Sequence, residues 1–280
     1  MMVPWLLEAR RNFHADCLAG PITTTNGVPS IADVSSRHSR EIAIGILSRI
    51  GATRNHDQKP AGQTAGSMFE TACQIFVSES FARLPHLRPG DFDVEKGQAI
   101  SQFDQYGHLD ELQALARANK ELRTLLGADY LIKPDVVVLR HPESDETINS
   151  HGVLVDDTVA RRTALRSANG AKATLHASIS CKLTIRSDRV QNTRSEALNL
   201  VRNRKGRLPH IVAVTAEPLP SRIAAIALGT GDMDCVYHFA LPELVDTLRE
   251  QERESLELVE TMIEGQRLRD IADLPLDLVI

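Results

Sequence analysis

The chain has 280 residues, 42% of them hydrophobic and 25% charged, which supplies apolar material for a substantial buried core. Its net charge of −5 taken whole speaks against a nucleic-acid partner, because polyanion binders carry a surplus of Lys and Arg. The opening MMVPWLLEARRNF meets its charges too soon for a signal peptide, and no run approaches the roughly 20 apolar residues of a membrane span, so a cytoplasmic protein without membrane contact is expected.

Hydrophobic periodicity predicts helices over 5–18, 37–51, 67–84 and 108–126, the last stopped by Gly127. KPDVVVLR, residues 133–140, then places four apolar residues in a row, as expected of a strand buried on both faces. The segment 174–186 alternates strictly. Leu175, Ala177, Ile179, Cys181, Leu183 and Ile185 occupy one set of positions and His176, Ser178, Ser180, Lys182, Thr184 and Arg186 the other, which predicts a strand with one apolar and one polar face. A helix entered at Ser187 or Asp188 runs to about 204. PHIVAVTAE (209–217) and MDCVYHFAL (233–241) read as two more strands, and 241–264 as a closing helix. Strands interspersed with helices give an α/β class with a mixed or mainly parallel central sheet flanked by helices. No repeat or composition break demands a boundary, so one domain over 1–280 is expected. Cys17, Cys73, Cys181 and Cys235 stand singly, without zinc-site spacing or the density of a disulfide framework, and read as reduced, mostly buried thiols.

The distribution of charge reverses the impression left by its sum. From Arg161 to Arg207 there are twelve Lys or Arg against two acids, leaving twenty basic and thirty-five acidic residues elsewhere. A positive block in a negative protein suggests a focused anion-binding surface, with a solvated basic helix face as the plain alternative.

Asp135 heads a buried apolar strand, a costly place for a charge unless donors or a cation meet it, although a turn-capping aspartate would look the same. Lys182 follows on the alternating strand and Glu196 on the next helix. Two carboxylates can hold Mg²⁺, which takes hard oxygen ligands, while a lysine beside them can orient an attacking water and offset phosphate charge. Glu70 is a further candidate, but Ser67 and Glu70 also have the spacing of a capping box. Arginine forks fit guanine O6 and N7 and a carboxylate accepts from the cytosine amino group, so Arg186, Asp188 and Arg189 suit a G·C-rich site. Phosphate-binding arginines beside an Asp188 helix cap remain open as the alternative.

Pro134-Asp135, Ser180-Cys181-Lys182 and Glu196, with Arg186-Ser187-Asp188-Arg189 between them, resemble the type II restriction endonucleases of the CCGG-core family, NgoMIV-type members of the PD-(D/E)xK nuclease superfamily. The likeness is densest in LHASISCKLTIRSDRVQNTRSEALNLVRNRKGRLPHIVAVTAEP and extends to PSRIAAIALGTG and DCVYHFAL. It implies a restriction-endonuclease-like core over about 60–240, an N-terminal helical part and a C-terminal helix. It also implies two Mg²⁺ per active site, held by Asp135, Glu70, Glu196 and the carbonyl of Cys181, with Lys182 positioning the water. Ser180 stands where the wider superfamily has an acid, and Glu196 substitutes for it in space. Arg186 and Arg189 are implied to read guanines, Asp188 the cytosines, Asp33, Ser35 and Arg222 the outer pair, and Gln63 the minor groove. The implied activity is Mg²⁺-dependent cleavage of double-stranded DNA at GCCGGC after the first G, with four-base 5′ overhangs. The acting species would be a homotetramer, a dimer of dimers binding two DNA copies, paired in the cell with a cytosine methyltransferase. A CCGG-core nuclease with other outer bases, or a sequence-specific DNA-binding protein without cleavage, are the alternatives.

Overall fold

The computed structural model describes residues 3–51, 61–126, 132–229, 231–251 and 253–280, without the side chains of 123, 125, 126, 187–189 and 253. The chain begins with helix α1 (Trp5–Ala19), a short hairpin of β1 (Thr24–Thr25) and β2 (Val28–Pro29), and helices α2 (Arg37–Arg49) and α3 (Gly62–Phe81). Strand β3 (Phe92–Lys96) precedes α4 (His108–Ala118), α5 (Lys120–Leu126), strand β4 (Val136–Arg140) and α6 (Asp145–Ile148). Then come β5 (Thr174–Lys182), α7 (Ser187–Asn203), β6 (His210–Thr215), α8 (Pro220–Ala227) and β7 (Cys235–His238). Helices α9 (Leu241–Gln251) and α10 (Arg253–Glu264), strand β8 (Leu268–Asp270) and α11 (Leu274–Asp277) close the chain.

Six strands form one sheet in the order β3-β4-β5-β6-β7-β8. The pairs β3–β4 and β4–β5 are antiparallel, and every pair from β5 to β8 is parallel, so the expected mixed sheet is present. Val136, Val137 and Val138 of β4 are wholly buried, as their uninterrupted apolar run requires. Helix α3 packs on α1 and against β3 and β5, and α2 packs on α9. At that last contact Gly45 is obligatory in size: a Cβ there would lie 2.3 Å from Thr247 Cγ2. Helix α2 starts where the Ser36 side chain accepts from the Ser39 N–H, satisfying one of the free donors of the first turn.

Strand β5 departs from the strict alternation of its sequence. Opposite it, Val138 faces Ala177 whereas Leu139 faces Leu175, so His176 is an extra residue and the register shifts. A bulge of this kind breaks the two-residue period, and His176 packs edge-on against Phe81 of α3 and Phe92 of β3. The polar side is not open to solvent either, since His176, Ser178 and Ser180 are all buried. A central strand of a sheet covered on both faces buries its polar residues along with its apolar ones.

Helix ends differ from their sequence expectations for local reasons. The run 108–126 is broken at Asn119, whose extended backbone ends α4 and whose Oδ1 accepts the N–H groups of Glu121 and Leu122, opening α5. Helix α3 begins at Gly62 rather than near 67, because Ala65 and Phe69 already face the core. Ser67 is therefore interior to the helix, and the capping-box reading of Ser67 and Glu70 fails. Strands β3 and β8 and helix α8 carry no clear periodic signal, and hydrophobic periodicity predicts none of them. The cysteines are free and buried, as anticipated.

Candidate active site

The antiparallel pairing of β4 with β5 sets the site. Val136 faces Ile179, so Asp135, one residue before β4, comes level with the C-terminal end of β5. Its Oδ2 accepts the Cys181 backbone N–H at 2.7 Å and the Lys182 ammonium, also at 2.7 Å. Asp135 thus spends its charge on a strand end and a lysine, which disposes of the turn-cap alternative. In a strand the N–H and C=O of one residue leave on the same side, so the Cys181 carbonyl also faces Asp135. The Lys182 carbonyl leaves on the opposite side, where it accepts the Thr215 hydroxyl at 2.7 Å.

Glu70 enters from the third turn of α3, and Glu196 from α7, a little over two turns past its start. Glu70 lies 3.5 Å from the Lys96 ammonium, which also donates to the Ser67 carbonyl and the Thr71 hydroxyl. Lys96 is the β3 partner of Val136, so the pairing of β3 with β4 places a second lysine beside the site. Burial and the Asp135 charge push the Glu70 carboxyl up, against Lys96 and Lys182. Burial likewise raises Glu196, opposed by Lys182 and reinforced by Asp135. Burial works against the Lys182 ammonium, but the attraction and hydrogen bond of Asp135 and the charge of Glu196 outweigh it, and its pKa ends above the ordinary value. Three carboxylates therefore share one electrostatic neighbourhood around a lysine that stays protonated.

The donor set fits a hard divalent cation: carboxylate oxygens and a peptide carbonyl. The Ser180 hydroxyl, on the same side-chain face of β5 as Lys182, is buried without a hydrogen-bond partner, an orphan that an ordered water would satisfy. Among the described residues no three His, Cys, Asp or Glu side chains close into a ready metal cage.

Beyond Lys182 the chain turns through 183–186 into α7. Arg186 occupies the helix-cap position with its side chain exposed, and Asp188 is the second helical residue, so the reading of Asp188 as the cap fails. The Asp188 and Arg189 side chains lie outside the described residues. Asp33, Ser35 and Arg222 converge although 189 residues separate the first from the last: Arg222 Nη2 donates to Asp33, and Ser35 donates to it through its N–H and its hydroxyl. The hydrogen bonds of Ser35 and then Arg222 pull the Asp33 carboxyl down to about 2. Gln63 is exposed on the first turn of α3, seven residues before Glu70, hence on the same helical face about 10 Å along the axis.

Two further residues escaped the sequence reading. Thr215 ties the end of β5 to the end of β6, and Glu217, fully buried, accepts the Ile185 N–H through Oε2 at 2.8 Å. PHIVAVTAE ends in that glutamate, and a carboxylate just past a mostly apolar strand is the signal that points to it. The expected single basic surface, by contrast, is divided. Arg166 is buried, gripping Asp145 and the carbonyls of Asp156 and Val159, while Arg162, Lys205 and Arg207 line a cavity at the end of β4 and β5 opposite Asp135. The long 141–173 connection and the strand ends carry these groups away from the site, which sequence proximity could not foretell.

Residues 13–280 match the family model described as NgoMIV restriction enzyme. The chain is 50% identical, over 287 residues covering 100% of both sequences, to the type II restriction enzyme NgoMIV of Neisseria gonorrhoeae. Among solved structures, the type IIF restriction endonuclease Bse634I with cognate DNA matches at 13% identity and a TM-score of 0.36, over 82% of this chain and 86% of that one.

Proposed function

The chain belongs to the NgoMIV restriction enzyme family and is a type II site-specific deoxyribonuclease, and from that premise we propose that it cuts double-stranded DNA at GCCGGC, after the first G, with Mg²⁺. The observation that carries the chemistry is the meeting of Asp135 and Lys182, far apart in sequence, at 2.7 Å beside two more carboxylates. Asp135, Glu70, Glu196 and the Cys181 carbonyl would hold two Mg²⁺ ions. Bound there, the metal supplies charge neutralisation at the phosphate and a more acidic water.

The protein's own groups do the rest. Asp135 keeps Lys182 charged and fixes where its ammonium points. Lys182 then orients the water for in-line attack and meets the negative charge that builds on the phosphate. The orphan Ser180 hydroxyl offers that water a second partner. Glu70 is paired with Lys96, and α7 carries Glu196 to the same neighbourhood before substrate arrives.

For reading, Arg186 and Arg189 contact the guanines and Asp188 the cytosines of the CCGG core, each pairing matching donor and acceptor patterns of the major groove. Asp33, Ser35 and Arg222 take the outer G·C pair, and Gln63 the minor groove. A twofold dimer presents the same surface to each half-site, which is why the target is palindromic. Two such dimers form a tetramer holding two DNA copies, in the cytoplasm of a cell whose cytosine methyltransferase protects the same site. Among the described residues no helix is long and apolar enough to cross a membrane.

Plasmid carrying GCCGGC is linearised in Mg²⁺ and untouched in EDTA, with cut ends mapping after the first G. Folded protein that leaves the plasmid intact in Mg²⁺ overturns the assignment, and cut ends at CCGG cores with other flanks would redirect it to a relaxed outer specificity.

A further inference from the structure

Glu217 is a fully buried carboxylate with no surface to offer DNA, and it lies where the turn before Arg186 meets the start of α8. Its Oε2 accepts the N–H of Ile185, the residue before Arg186, at 2.8 Å. Its Oε1 accepts the Leu219 N–H at 3.2 Å, at the start of α8, and lies 3.7 Å from Nη1 of Arg222 on that helix. Its own N–H donates to Thr215 Oγ1, whose hydroxyl holds the Lys182 carbonyl. The same Arg222 grips Asp33 with its other terminal nitrogen. A neutral acceptor of equal size would satisfy Ile185 without the cost of burying a charge. What the carboxylate adds is a fixed anion behind Arg222 and a rigid link from that helix to the turn carrying Arg186.

We propose that Glu217 is a positioning residue for sequence recognition: it locks the Arg186 turn and the Arg222 helix in one relation, so that core and outer base contacts are made together. This rests on the reading of Arg186 and Arg222 as DNA contacts. The groups facing Glu217 are Arg222 from α8, Asp33 from the segment before α2, and His238 of β7, whose Nε2 lies 3.2 Å from the Glu217 carbonyl. His238 is held down to about 4, chiefly by burial, and so stays neutral through the range of interest. Burial pushes Glu217 up to about 6. Above that value the carboxylate accepts from both backbone donors and faces Arg222 as an anion. Below it one acceptor is lost and Arg222 keeps only Asp33, so discrimination falls as pH falls.

The test is equilibrium binding of the full chain in EDTA to three duplexes: GCCGGC, the same core with its outer pair exchanged, and a site with an altered core. Ratios of affinities cancel the effect of Glu70 and Glu196, which face the backbone of every duplex alike. Wild type should lose about tenfold of its discrimination against both altered duplexes between about pH 7.5 and about pH 5, centred near 6. Glu217→Gln should be about tenfold poorer at the higher pH for both altered duplexes and flat with pH. A Glu217→Gln protein with the wild-type ratios and profile overturns the proposal. A wild-type ratio that does not change with pH overturns it too, and needs no variant to fold. Arg222→Ala separates the layers: no change in outer-pair discrimination there defeats the DNA-contact reading itself, whereas a loss there combined with an unaffected Glu217→Gln defeats only the role of Glu217.

Discussion

Replacing Lys182 with Met removes the ammonium that Asp135, Glu70 and Glu196 share. Asp135 loses a charge-assisted hydrogen bond of 2.7 Å, and the two side chains are only 17% and 21% exposed, so water replaces the partner poorly. Hydrogen bonds to charged groups contribute about 1.5–3 kcal/mol, and breaking a fully buried pair costs about 3–5 kcal/mol. With the residual exposure, a loss of about 2–3 kcal/mol is expected near pH 8, or roughly 4–10 °C in Tm for a chain of this size. The sign of the pH effect follows from the carboxylates. Glu70 and Glu196 already have raised pKa values, from burial first and Asp135 repulsion second, and without Lys182 they rise further. A carboxyl raised in the folded state is a penalty above its folded pKa that disappears as the pH falls through it. The deficit of Lys182→Met relative to wild type should therefore shrink toward pH 5. Paired thermal melts in EDTA at both pH values measure this. Equal deficits at the two pH values, or none at either, would refute a shared carboxylate cluster around Lys182.

Asp135→Ala should abolish cleavage while gel shifts in EDTA still show specific binding, since the side chain meets Lys182 and the Cys181 N–H, the groups proposed to serve the cleavage step. Arg189→Ala should cost about 1–3 kcal/mol of discrimination, read as the ratio of cognate to non-cognate affinity. Arg10→Met strips a side chain that holds both Glu243 and Asp270, and should destabilise the fold by about 3–5 kcal/mol in urea unfolding. Burial tends to raise Glu243, yet Arg10 outweighs it and holds the pKa below the ordinary value; that stability is present at neutral pH and lost as pH falls through the folded pKa, so the variant should also show a flatter acid limb. Gly45→Ala drives a methyl group to 2.3 Å from Thr247 at the contact of α2 with α9, and chemical denaturation should register about 1–3 kcal/mol.

What the sequence determined by itself is what short-range physics controls. The apolar run of β4, the strands that became β6 and β7, and the helices α1, α2 and α7 follow from side-chain periodicity and backbone preference within a few residues. The spacing of Asp135, Lys182 and Glu196 was equally legible, because one antiparallel pairing and one following helix suffice to gather them. Tertiary structure decided the remainder. Only the shift of register at His176 shows that the alternation of β5 is broken, and only packing of Ala65 and Phe69 starts α3 early enough to make Glu70 an interior helical residue. Lys96 reaches the site through an edge strand with no periodic signal, and Arg222 meets Asp33 across 189 residues. Contacts of that kind are set by which faces the whole core brings together, and a local pattern along the chain carries no information about its distant partner.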